Sequence, residues 1–208
     1  MEDLLDLYAE PYDPQQPVVC FDELPVQLVG EKRPPLPARP GTPVRDDYEY
    51  RREGMTNVFA IVEPQRGWRH LTVTAHRCQA DFATQMRWLV DEGYPTAPRI
   101  RVVLDNLSTH TAAALYETFA PAAARRLLRR LEWHYTPTHG SWLNMAEIEL
   151  SILPRECLAP RIPTPEQPTP VLAAYEARQN AAARPIDGRV TVDKARVKRH
   201  RLYPSLST

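Results

Sequence analysis

Hydrophobic and polar positions alternate between two periods along this chain, and the order in which they do so predicts a layered α/β protein. Residues 1–16 open with MEDLLDLYAE, an apolar face at helical spacing, and close in PYDPQQP, where Pro11, Pro14 and Pro17 stop any continuation. This reads as a short helix in an N-terminal tail or linker remnant. PVVCFDE then gives a compact apolar run from Val18 to Phe21 ending in Asp22 and Glu23, the pattern of a buried strand that delivers an acid at its end.

From Pro25 to Gly54 prolines and charges dominate, and the segment reads as a long, partly extended loop insertion. TNVFAIVEP and RGWRHLTVTA follow, rich in Val, Ile, Phe, Trp and Thr around a PQRG turn, which predicts a hairpin. Together with the first strand they predict three consecutive antiparallel strands. In DFATQMRWLVDEGY, Phe82, Met86, Leu89 and Val90 fall on one helical face, with Asp81 as a cap and Gly93 as a stop. RIRVVLDN is a second buried strand ending in an acid, Asp105, and because it follows a helix it should lie parallel to the sheet.

TAAALYETFA and PAAARRLLRRLEW predict two helices. The second has Pro121 in its first turn, and Leu127, Leu128 and Leu131 oppose Arg125, Arg126, Arg129 and Arg130. LEWHYTP predicts a last short strand, and SWLNMAEIELSIL a helix opened by Ser141 and ended at Pro154. A further helix is expected near VLAAYEARQNAAA, before the basic terminus DKARVKRHRLYPS. The expected organisation is a tail at 1–16, one core domain over 17–160 with the loop insertion at 25–54, and a C-terminal helix with a basic tail over 161–208 packing on it.

Composition narrows the function classes. With 208 residues and 43% hydrophobic content, one substantial core is the natural reading. Lys plus Arg and Asp plus Glu both number 26, so no global charge draws the chain to a polyanion, and such a partner must be held by local patches. Cys20, Cys78 and Cys157 are scattered and odd in number, which suits a reducing compartment and small buried hydrophobes. No apolar run approaches the roughly 18 residues of a membrane span, and the acidic start is unlike a signal peptide. A cytoplasmic protein with no membrane partner is expected.

Candidate chemistry lies in the acids. Asp22 and Asp105 at the ends of neighbouring buried strands place carboxylates side by side, where repulsion raises their pKa unless a cation is shared, and magnesium suits oxygen-only ligands. Each could equally be a solvent-facing strand-end residue or a helix cap. On the wheel of the 141–153 helix, Asn144, Glu147 and Ser151 form a polar stripe, whereas Glu149 lies among Trp142, Met145, Ile152 and Leu153. That stripe faces either solvent or a metal site completed by Glu147. A zinc site from His134, His139 and Glu147 fits no helical HExxH spacing.

FDE at 21–23, LDNLSTH at 104–110 and HYTPTHGSWLNMAEIEL at 134–150 closely resemble the DDE transposases of the insertion sequence 630 family, relatives of the mariner elements in the retroviral-integrase superfamily. The Pro-rich loop ending in DYEYRREG, the GWRHLTVT strand, ARRL and the terminal RLYPS extend the likeness over nearly the whole chain. The resemblance implies a ribonuclease-H-like α/β fold, a mixed five-stranded sheet flanked by helices. It implies a catalytic and metal-binding triad of Asp22, Asp105 and Glu147, with Glu149 as the reserve acid. Asn106, His110, His139 and Asn144 would support the metals or contact DNA.

The implied cofactor is a pair of Mg2+ ions, with Mn2+ able to substitute, and the implied chemistry is cleavage of double-stranded DNA followed by strand transfer into TA targets. Transposon ends and target DNA would be partners, and a homodimer the assembly. Lys32, Arg33, Arg39, Arg51, Arg52, the helix arginines and the 194–201 cluster are candidates for phosphate contacts. Pro154 and Gly188 depart from the family pattern. Members also carry an N-terminal helix-turn-helix, and this sequence starts where that region would have ended. The alternative is an inactive or inhibitory fragment acting by DNA binding or dimerisation.

Overall fold

The computed structural model describes residues 1–33, 36–41, 43, 48–186 and 192. The elements in order are α1 (Glu2–Ala9), β1 (Val18–Glu31), β2 (Tyr50–Glu63), β3 (Trp68–Thr74), α2 (Gln79–Trp88), β4 (Ile100–Leu104), α3 (Ala112–Thr118), α4 (Pro121–Leu128), β5 (Leu131–Tyr135), α5 (Ala146–Glu156) and α6 (Pro168–Ala182). α2 widens into a π turn over Leu89–Gly93, and a single 3-10 turn, Ser141–Leu143, precedes α5.

The strands form one mixed sheet in the order β3-β2-β1-β4-β5, with β1, β2 and β3 antiparallel and β4 and β5 parallel to β1. This is the five-stranded ribonuclease-H-like arrangement expected from the sequence. Strand alternation sorts the core into two layers. Cys20, Val58, Ala60, Val62 and Val103 pack with Leu143, Ala146, Leu150, Leu172 and Tyr175 of the α5 and α6 side. Phe21, Phe59, Ile61, Val102 and Leu104 pack with Phe82, Met86, Leu115 and Leu127 on the other.

Several boundaries differ from the sequence reading. Residues 1–16 are not a loose tail. Leu4, Leu5 and Leu7 of α1 are buried in the α5-side layer, and Arg101 of β4 donates to the Gln16 carbonyl from Nε at 3.0 Å and to Glu10. The loop insertion is shorter than 25–54, because β1 runs on to Glu31 and β2 starts at Tyr50, with Pro25 opposite Asn57. β4 pairs only with Val18–Cys20, so no strand pairs with that edge of β1 at Pro25 and a proline without an N–H is tolerated there, while farther on the Val29 N–H donates to the Ile162 carbonyl at 2.8 Å. Glu53 is the extra residue of a bulge in β2, and Gly54 beside it adopts φ +122, a conformation costly for any other residue.

α5 starts at Ala146 rather than Ser141 and passes through Pro154 to Glu156. A proline this close to a C-terminus forfeits one hydrogen bond in a turn that already frays, and the Cys157 N–H still reaches the Leu153 carbonyl at 2.9 Å. α6 covers the edge strand β3. Asn180 accepts the Arg69 N–H at 2.9 Å and donates to the Arg69 carbonyl at 2.8 Å, while Glu176 accepts the Leu71 N–H at 2.7 Å. Side chains thereby occupy hydrogen-bonding positions that an exposed edge would offer to another strand. Gly188, the 194–201 cluster and RLYPS lie outside the described residues. Among those described, no helix is long and apolar enough to cross a membrane.

Candidate active site

The register of two parallel strands places the first two acids. Cys20 of β1 lies opposite Val103 of β4, and Asp22 and Asp105 each follow that pair by two residues. Side chains two apart share a face, so both carboxylates continue the row of Cys20 and Val103 on the side covered by α5. Asp22 is therefore not the last residue of its strand, as the sequence suggested, but sits where β4 stops pairing with it. Glu147 is exposed in the first turn of α5, whose Ala146, Leu150 and Leu153 anchor the helix in the same layer.

These carboxylates feel one another. Asp22 is raised from 3.8 to about 7, first by burial and further by the negative charges of Glu147, Glu23 and Asp105, against a backbone hydrogen bond from Glu23 that lowers it. The Glu23 N–H donates to Asp22 Oδ1 at 2.8 Å, and Asn144 Nδ2 approaches Oδ2 at 3.3 Å. Two neutral donors therefore face a carboxylate surrounded by like charge.

Asn144 is buried, and its role is set by a local break in the chain. Between the 3-10 turn and α5 it is extended, at φ −81 and ψ 110, so it is not part of a continuous helix with Glu147. Its Nδ2 donates to the Phe21 carbonyl at 2.8 Å, and its Oδ1 accepts the Ala146 N–H at 3.2 Å. One side chain thus ties the start of α5 to β1 beside Asp22. The Tyr8 hydroxyl of α1 donates to the neighbouring Leu143 carbonyl at 2.9 Å and contacts Cys20 Sγ at 3.1 Å.

Behind Asp105 lies a buried imidazole. His110 is 1% exposed, with Nδ1 2.6 Å from Asp105 Oδ1 and Nε2 3.2 Å from Glu23 Oε2. Burial alone would lower its pKa, but the two carboxyl groups outweigh that and raise it to about 9, so at neutral pH the ring is an imidazolium. The ring lies against Phe21 and Phe82, with centroids 5.3 and 4.9 Å away, and its carbonyl accepts from the Tyr135 hydroxyl at 2.9 Å. Held this way, His110 fixes one oxygen of Asp105.

Glu23 is the residue the sequence reading missed as a participant. Its side chain is 4% exposed, and Arg77 Nη1 approaches Oε1 at 4.0 Å. Strand alternation puts it on the opposite face from Asp22. An acid inside the buried FDE run, on the inward face of a central strand, was the available signal.

The other candidates separate from this cluster. Glu149 is buried in an ion pair with Arg69, Nε to Oε1 3.0 Å, both side chains being at most 5% exposed. It does not join Asp22 and Asp105. Asn106 and His139 are exposed, and His139 takes a left-handed backbone at φ 61. His134 contacts Asp3 and Glu132, each at 3.0 Å, which engages both ring nitrogens and leaves none for a zinc site. Lys32 and Arg51 pair with Glu49 and Glu53, while Arg39 and Arg52 are exposed.

Oxygen-only donors under mutual repulsion suit a hard divalent cation. Among the described residues, however, no three His, Cys, Asp or Glu side chains are gathered closely enough to form a closed cage. The donor chemistry fits, and the acids stand in one neighbourhood rather than around one point.

The sheet thus carries Asp22 and Asp105 in register on neighbouring strands, with Glu147 on the helix that covers them. The family model described as DDE superfamily endonuclease matches residues 17–167, and the chain belongs to that family. No curated protein matches the sequence. Solved structures to which the chain is similar include a Mos1 transposase paired-end complex with left transposon end, at 16% identity and TM-score 0.36, and the Mos1 strand transfer complex, at 16% identity and TM-score 0.38. The first match covers 99% of this chain and 53% of that one, the second 90% and 60%, so the chain spans between half and two thirds of their length.

Proposed function

We propose that this chain is the catalytic domain of a DNA transposase that cuts double-stranded DNA and joins the freed 3′ end to a target, with TA as the target dinucleotide. The observation that carries the reading is the in-register pair Asp22 and Asp105, with Asp22 held near pKa 7 by burial and by Glu147, Glu23 and Asp105. Family membership supports the endonuclease part, and strand transfer, the TA preference and a homodimeric assembly extend it.

Asp22, Asp105 and Glu147 are the residues that would hold a pair of divalent ions. Mg2+ would supply charge neutralisation at the scissile phosphate and an activated oxygen nucleophile, and Mn2+ would substitute. The chain's own part is positioning. Glu23 N–H and Asn144 Nδ2 orient the two oxygens of Asp22, and the His110 imidazolium holds one oxygen of Asp105. Asn144 also sets where α5 begins, and therefore where Glu147 stands relative to β1. A preorganised carboxylate geometry avoids reorganisation when the phosphodiester arrives.

The test is nicking of supercoiled plasmid by the purified chain with Mg2+ or Mn2+, beside Asp105→Ala prepared identically. Metal-dependent nicking that disappears in the variant supports the proposal. No nicking by either protein across metal and DNA concentrations would favour the inhibitory fragment, and equal nicking by both would place the chemistry elsewhere.

A further inference from the structure

Four arginines on consecutive turns of α4 and the turn that follows it line one concavity. Tyr116 of α3, Pro121, Ala122, Arg125, Arg126, Arg129 and Arg130 enclose about 690 Å³. Their charges are unequally used. Arg126 forms a two-pronged pair with Asp91, at 2.6 and 2.9 Å. Arg130 spends its guanidinium on main-chain carbonyls, Nε to Ala97 at 2.8 Å and Nη1 to Val90 at 3.1 Å, which anchors it without neutralising it. Arg125 and Arg129 are exposed and have no ion pair among the described residues.

Four cations against one carboxylate make this groove strongly positive in a chain whose formal charge is zero. Arg125 of α4 and Arg129, its C-cap in helical conformation, are four residues apart, about 6 Å along the axis. Tyr116, 48% exposed at the rim, offers a hydroxyl and an aromatic face. Two uncommitted guanidiniums at this spacing can each form fork-like hydrogen bonds to a phosphate.

Its position separates it from the candidate active site. The Arg130 carbonyl accepts the Ile100 N–H at the start of β4, whereas Asp105 follows the other end of that five-residue strand, about 16 Å away. α4 also packs in the layer opposite α5. We propose that the Tyr116, Arg125 and Arg129 groove is a second docking surface for the phosphate backbone of duplex DNA, remote from the site of strand cleavage. It rests on the proposed function for the identity of the polyanion. Its effect would be to retain a duplex away from the reacting phosphate, supplying affinity that the neutral chain otherwise lacks.

The test measures binding alone, in EDTA, with a fluorescent duplex of about 30 base pairs and arbitrary sequence, titrated at several salt concentrations. Arg125→Ala/Arg129→Ala keeps helix propensity, and Arg155→Ala/Arg178→Ala removes the same charge from the opposite layer. The groove variant is expected to raise Kd about 5- to 20-fold and to reduce the slope of log K against log salt by about 2, with little change in the control. Thermal melting establishes that both variants are folded, and Arg125→Lys/Arg129→Lys should recover most of the salt slope.

Equal affinity and slope in wild type and groove variant would overturn the proposal, as would an equal loss in the control. Competition by poly-glutamate that the groove variant resists, with duplex binding unchanged, would reassign the surface to an acidic protein partner and overturn it too. Failure of plasmid nicking with a groove-dependent salt slope would count against the proposed function and not against this surface.

Discussion

Replacing Asp22 by Asn should stabilise the metal-free protein while removing its proposed activity. The carboxyl is raised from 3.8 to about 7, and the sign follows from linkage. A raised acid contributes stability that is complete below its unfolded value and is lost as pH rises through the folded one, so above pH 7 its ionisation opposes folding. At about 1.36 kcal/mol per pH unit the ceiling is roughly 4 kcal/mol, and the partial solvent access of Asp22 reduces the expected gain to about 1–3 kcal/mol. The amide introduced by Asp22→Asn would keep an acceptor for the Glu23 N–H and lose only the 3.3 Å approach of Asn144.

For a domain of this size that gain is a rise of roughly 3–9 °C in Tm at pH 8 in EDTA, shrinking as pH falls toward 4, where Asp22 is protonated in the folded state and about two-fifths so in the unfolded one. Mg2+ should raise the wild-type Tm by an amount that grows with concentration and leave the variant's almost unmoved. An unchanged or lower Tm for the variant at pH 8, or a gain of the same size at pH 4, would refute the reasoning that this carboxylate is held against repulsion. An equal response to Mg2+ in both proteins would refute its part in holding the ion.

Four further outcomes follow from the same contacts. Glu147→Gln should abolish metal-dependent nicking with little change in Tm, whereas Glu149→Gln should cost about 3–5 kcal/mol by leaving Arg69 buried and unpaired, a distinction that thermal melting resolves. His110 is raised from 6.5 to about 9, so its contribution is complete below pH 6.5 and is lost as pH rises through 9; a pH series of urea melts should show that decline in wild type and lose it in His110→Gln. Leu4→Ala should destabilise by about 2–5 kcal/mol in urea unfolding, because Leu4 is fully buried in the shared core rather than on a tail. Tyr8→Phe should cost about 1 kcal/mol and raise the Mg2+ concentration for half-maximal nicking, since the Leu143 carbonyl beside Asn144 loses its donor.

Much of this architecture was legible in the chain itself. Apolar runs at Val18–Phe21 and Val102–Leu104 marked central strands, and the helix between the hairpin and RIRVVLDN required a parallel return. The two aspartates were visible because charge directly after a buried run is costly without a purpose. The choice between Glu147 and Glu149 was harder, since a wheel drawn from Ser141 assumed an unbroken helix. The chain breaks at Asn144, and Glu149 meets an arginine 80 positions earlier on β3.

Local composition determined the period of each element, the burial of the strands and the presence of an acid directly after two buried apolar runs, because these depend on neighbours a few residues apart. Only the tertiary structure decided which acids share a neighbourhood. The Cys20–Val103 register aligns Asp22 with Asp105, and β3 claims Glu149 for Arg69. Long-range packing also brings Glu23 to His110 and buries Leu4, Leu5 and Leu7 of the N-terminal segment in the core. Register, partner choice and desolvation arise between segments far apart in sequence, and no local pattern encodes them.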